Sequence, residues 1–84
     1  MSKKEVTLGD LFKKYDNPHA LLVQKACYFN SEIHIESGTV KINAKSIMGI
    51  MAFNPSEGMS VSIVTEGSDE QEALLAIERF LVCE

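Results

Sequence analysis

Residues 32–45 read Glu-Ile-His-Ile-Glu-Ser-Gly-Thr-Val-Lys-Ile-Asn-Ala-Lys, and no other stretch narrows the possible folds as much. Apolar and polar side chains alternate on either side of Ser37-Gly38, with Ile33 and Ile35 before it and Val40, Ile42 and Ala44 after it. Strands turn successive side chains to opposite faces, so the pattern predicts a hairpin with one apolar face and a tight turn at Ser37-Gly38. A lone hairpin is marginal in water, so the rest of the chain has to extend it and cover that face.

Two more alternations supply strands. Val6 and Leu8 stand among Glu5 and Thr7, and Met59, Val61 and Ile63 among Ser60 and Ser62. Three segments supply helices. Asn17 is a favoured N-cap and Pro18 suits the first helical position, and Leu22, Ala26 and Phe29 then share one face. Ser46 suits the N-cap of a short apolar helix running to Phe53. The last helix carries the stripe Ala73, Leu74, Ile77, Phe80 and Leu81. Ser68 with Gln71, or Asp69 with Glu72, reads as its capping box, and Asp69, Glu70 and Glu72 suit its positive end. Residues 9–16 have no period and read as a loop, as do residues 54–58. The predicted order is β-α-β-β-α-β-α, an α+β domain with helices on one face of the sheet.

With 84 residues the chain has room for one core, so residues 1–84 are expected to form one domain. No apolar run nears the ~20 residues of a membrane span, and no signal-peptide core follows the start, so a cytoplasmic protein is expected. Cys27 and Cys83 form no CxxC or Cys/His cluster, so reduced thiols are expected, with no metal site and no cofactor. Residues 1–45 hold seven lysines against five acids, and residues 46–84 hold Arg79 against seven acids. The whole chain carries a formal charge of −4, which argues against direct nucleic-acid binding. No paired carboxylates, glycine-rich phosphate loop or Ser/His/Asp set points to an enzyme.

The segment Asn43-Ala44-Lys45-Ser46-Ile47-Met48-Gly49-Ile50-Met51 resembles the regulatory-serine region of the HPr family, the histidine-containing phosphocarriers of the bacterial sugar phosphotransferase system. Leu22-Val23-Gln24 with Ala26, then Gly58, then Gly67-Ser68-Asp69-Glu70 with Ala73-Leu74 extend the likeness without gaps from about Asn17 to about Phe80. It implies the HPr fold, an open-faced sandwich of a four-stranded antiparallel sheet with three helices on one face.

Phosphate-carrying members of the family read His-Ala-Arg-Pro-Ala at the start of the first helix, whereas this chain reads Tyr15-Asp16-Asn17-Pro18-His19. The family's phosphorylated histidine falls on Tyr15 and its arginine on Asn17. A phosphohistidine is a reactive phosphoramidate, whereas a phosphotyrosine is a stable ester and no relay. Asp16 adds an anion where the phosphoryl group would sit. His19, one turn further on with Lys13 and Lys14 nearby, is the alternative acceptor. His34 alternates with apolar neighbours and is expected on the far side of the sheet.

In Gram-positive relatives the serine matching Ser46 is phosphorylated by an ATP-dependent HPr kinase/phosphorylase. A phosphate there adds roughly −1.5 to −2 charge at a helix start beside Lys45. Ile47, Met48, Met51 and Phe53 are expected to form an adaptable apolar docking patch with Lys45. A member with this serine and no active histidine resembles the catabolite-repression HPr homologues of bacilli. The likeness implies phosphotransferase-system proteins and a LacI-type catabolite control repressor as partners. In those homologues the arginine that is Asn17 here contributes to the repressor contact.

Overall fold

The computed structural model describes residues 1–83. In chain order the elements are β1 (Ser2–Thr7), α1 (Leu11–Lys14), α2 (Pro18–Tyr28), β2 (Glu32–Ser37), β3 (Val40–Asn43), α3 (Ile47–Phe53), β4 (Ser60–Glu66) and α4 (Glu70–Leu81). The strands form one antiparallel sheet in the order β1-β4-β2-β3. The hairpin is present, but its two loop residues are Gly38-Thr39, since Ser37 pairs with Val40. Gly38 takes a φ of 60°, the left-handed conformation that such turns favour and glycine adopts without strain. The predicted turn is thus displaced by one residue.

One face of the sheet is covered. Ile35 stands opposite Ile63, Ile33 opposite Thr65, and Val6 opposite Val61, and all six are buried. Leu22 and Ala26 of α2, Ile50 of α3 and Ala73, Ile77, Phe80 and Leu81 of α4 close over them. His34 lies on the other face, half-buried and paired with Val64 and Asn43, as its alternation predicts. No helix is long and apolar enough to cross a membrane among the described residues.

Three expectations need correction. Residues 11–14 are not loop but a single helical turn, anchored by buried Leu11 and capped by Asp10, whose carboxylate accepts from the Lys13 amide at 3.1 Å. Four residues are too few to show a period, so a fourth helical segment joins the three expected. The first strand begins earlier than Val6 because Ser2 and Lys4, although polar, occupy the covered face at its edge. They reach α4, where Ser2 Oγ donates to Glu70 at 2.6 Å and Lys4 pairs with Glu78 at 2.6 Å.

The third correction concerns the start of α4, which has no capping box. Asp69 is the N-cap, yet its side chain makes no cap bond. The carboxylate turns instead to the loop between α2 and β2, accepting from the amides of Asn30 (3.0 Å) and Ser31 (2.9 Å) and from the Ser31 hydroxyl. These bonds hold the Asp69 carboxyl below its ordinary range, the Ser31 hydroxyl first among them. Gly67 makes this junction possible. A Cβ there would stand 2.7 Å from the Ser31 Cα, and its φ of 151° disfavours any side chain.

Glu70, next to it, accepts from Ser2 Oγ, from the Met1 amine (3.1 Å) and from the Gly67 amide (3.2 Å). Its carboxyl is lowered from 4.5 to about 2, chiefly by the Ser2 hydroxyl. A carboxylate depressed in the folded state stabilises fully above its unfolded value, and the contribution disappears as pH falls through the folded one. Stability measured by denaturant titration should therefore fall as pH drops from about 4.5 towards about 2. Glu70→Gln should flatten that dependence, and an unchanged slope in the variant would contradict the assignment.

Candidate functional site

The segment from Tyr15 to His19 joins α1 to α2. Tyr15 closes α1, its amide donating to the Leu11 carbonyl at 2.8 Å. Its ring stacks on Phe80 of α4 at 4.5 Å between centroids and 12° between planes. Burial, and then nearby Cys83, push the phenol above its ordinary value, so it stays neutral. The Lys14 ammonium lies 5.9 Å from the centre of the Tyr15 ring and donates to the Cys83 carbonyl at 2.6 Å. Asn17 caps α2 as predicted, its side chain accepting from the Ala20 amide at 3.4 Å. Asp16 is exposed beside it.

His19 lies in the first turn of α2, edge-on to the Phe12 ring at 5.3 Å. Its Nε2 is buried and has no hydrogen-bond partner. That nitrogen is shut off from an incoming phosphoryl donor. The locus thus holds a stacked neutral phenol, an amide cap, an exposed carboxylate and an imidazole with one nitrogen occluded. Of the two lysines just before it, Lys14 is engaged on the Cys83 carbonyl and Lys13 is exposed.

Ser46 is built differently. It takes extended backbone at the N-cap of α3, and its Oγ accepts from the Gly49 amide at 3.2 Å. A Cβ at Gly49 would stand 3.4 Å from this Oγ, so glycine keeps a side chain from crowding the hydroxyl. Asn43 shapes the approach, its side chain accepting from the Lys45 amide at 2.8 Å. Around Ser46 the apolar residues divide. Ile47, Met48 and Met51 are exposed at 41%, 80% and 60%, while Ile50, on the opposite side of the helix, is fully buried. Phe53 is half-buried and packs against the core, which sets it apart from the exposed three. Lys45 is half-buried too, its ammonium donating to the Phe29 carbonyl at 2.8 Å.

The sequence reading missed two features here. Phe12 is 57% exposed beside His19, in a segment taken for a loop. The anchoring of Lys14 and Lys45 on backbone carbonyls left no trace in spacing, because the acceptors are distant in sequence. Cys27 and Cys83 are free thiols.

A four-stranded antiparallel sheet with helices over one face and a serine-capped helix at its margin is the open-faced sandwich of an HPr-type protein. The model of the family described as "PTS HPr component phosphorylation site" matches residues 3–82, and the chain belongs to the HPr family. It is 50% identical over 64 residues to the HPr-like protein Crh of Halalkalibacterium halodurans, a match covering 76% of each chain. It is also 50% identical over 62 residues to the phosphocarrier protein HPr of Treponema pallidum, covering 74% of this chain and 70% of that one. Among solved structures, the phosphocarrier HPr of Bacillus anthracis superposes with a TM-score of 0.84 at 40% identity over 95% of each chain. Proteins of this family act in the phosphotransferase system and in catabolite repression, as phosphate-accepting proteins rather than enzymes. Identity is equal to a carrier and to a Crh-type relative, so the residues at the site have to distinguish the two roles.

The cap geometry has a measurable consequence. Ser46→Ala should cost about 1 kcal/mol of stability, whereas Ser46→Asp, which keeps a capping oxygen, should stay within a few tenths of the native protein. Chemical denaturation of the three proteins checks this, and equal stability of all three would contradict the cap.

Proposed function

We propose that this chain is a regulatory HPr-family protein that accepts phosphate on Ser46 and relays none through histidine. The observation that carries the reading is the half-buried serine hydroxyl capping the start of α3 and bordered by exposed Ile47, Met48 and Met51. The donor is ATP, handled by an HPr kinase/phosphorylase. The Ser46 Oγ attacks the γ-phosphorus, the new O–P bond forms as the bond to ADP breaks, and the hydroxyl proton leaves to the kinase. The product is a phosphomonoester, stable in acid.

The side chains at the other locus support the absence of relay. The residue at the family's histidine position is Tyr15, and its phenol is stacked and neutral. The family's arginine position is Asn17, whose side chain is spent on a helix amide. His19 has one ring nitrogen buried and lies against Phe12 at 5.3 Å between ring centroids. The named likeness to Crh supports the same role. In that role the phosphorylated protein, in the cytoplasm, meets a LacI-type catabolite control repressor or a phosphotransferase-system protein. The exposed apolar residues of α3 and the new phosphate together form the docking surface. Asn17 supplies no charge to that contact, so the methionines and the phosphate carry it.

Incubation with an HPr kinase and ATP should add one phosphate to the wild type and none to Ser46→Ala, read by intact mass. Met48→Ser with Met51→Ser should leave folding unchanged and weaken binding of the phosphorylated protein to its partner about tenfold. Equal labelling of Ser46→Ala would overturn the proposal.

A further inference from the structure

The Lys45 ammonium sits on the Phe29 carbonyl at 2.8 Å, and Phe29 is the C-cap of α2. The last carbonyls of a helix have no partner within it and carry the negative end of its dipole, so a cation there holds down a turn prone to fray. Within that turn the Phe29 amide donates to the Ala26 carbonyl at 3.2 Å. Beyond it, Asn30 and Ser31 are held separately by Asp69. The same end of α2 forms one wall of a surface groove of about 290 Å³, lined by Gln24, Lys25, Tyr28 and Phe29 with Ala76 of α4 opposite. Tyr28 is 83% exposed at its rim. Lys45 therefore links the residue before Ser46 to the wall of a groove on another helix.

We infer that phosphorylation of Ser46 draws Lys45 off the Phe29 carbonyl, loosens the last turn of α2 and reshapes the groove between α2 and α4. The inference rests on the Ser46 reading above and adds a route by which the mark is felt elsewhere. The phosphate brings roughly −1.5 to −2 charge to the residue next to Lys45, whose Cα is about 3.8 Å away. The ammonium then chooses between a neutral carbonyl and an ionised phosphate, and only the second adds the attraction of opposite charges. Four methylenes let Lys45 swing without moving its backbone. The Asp69 carboxylate keeps its hold on Asn30 and Ser31, which confines the loosening to residues 26–29. A partner seated in the groove would then respond to the state of Ser46 without touching it.

The test places phosphoserine at position 46 during synthesis of the full chain, so no kinase is needed. Failure of the kinase reaction would then count against the Ser46 reading alone, and the exchange result decides this inference alone. Amide hydrogen exchange followed by NMR should rise about tenfold at residues 26–29 in the phosphorylated protein, with Ile63 in β4 unchanged as a check on the core. Lys45→Met should raise exchange at the same residues without phosphate, and phosphoserine should add nothing to it. If Lys45→Met proves too unstable, Lys45→Gln serves in its place. Unchanged exchange on phosphorylation overturns the inference, and so does a further rise of the same size when phosphoserine is added to the lysine variant.

Discussion

Everything in this molecule depends on burying one face of the sheet and only one. Ile33 and Ile35 of β2 and Val61 and Ile63 of β4 are sealed by α2, α3 and α4. In a chain of this size no second core is available, so those helices have no freedom to lie elsewhere. Fixing them fixes where their ends emerge. The start of α2 brings Tyr15, Asn17 and His19 to one margin, and the start of α3 presents Ser46 with its exposed methionines. Buried Ile50 holds α3 down, which is why Met48 and Met51 on its other side face outward.

Much of this was legible in the sequence. The hairpin, the caps at Asn17 and Ser46, the stripe of α4 and the order of the longer elements all follow from local rules, because each is decided within a few residues. What escaped notice was decided across the fold. Asp69 has the sequence of a capping-box residue but spends its carboxylate on Asn30 and Ser31, about forty positions away. Ser2 and Lys4 break the apolar alternation because Glu70 and Glu78 wait above them. The serine site was readable from a contiguous motif. The state of the other locus was not, since the stacking of Tyr15 on Phe80 and the contact of His19 with Phe12 depend on how α1 and α4 pack.

The two loci make opposite demands of phosphate. A relay needs a nitrogen nucleophile, a cation to steady the anion and a bond weak enough to pass on. At the Tyr15 locus a phenol stands at the family's histidine position and an amide at its arginine position, and Lys14 is engaged on a backbone carbonyl. A regulatory mark needs a stable ester at a surface that a partner reads. Ser46 has the hydroxyl and the apolar border for that, and Lys45 next to it rests on the last turn of α2. The proposed role thus rests on differences at a few side chains within a shared backbone architecture.

The most direct test of this separation is ³¹P NMR of the protein incubated in parallel with enzyme I plus phosphoenolpyruvate and with HPr kinase plus ATP. The account predicts no protein-bound signal in the first sample. It predicts a single phosphomonoester resonance in the second, stable in acid and absent from Ser46→Ala. An acid-labile phosphoramidate resonance in the first sample, abolished by His19→Ala, would contradict it.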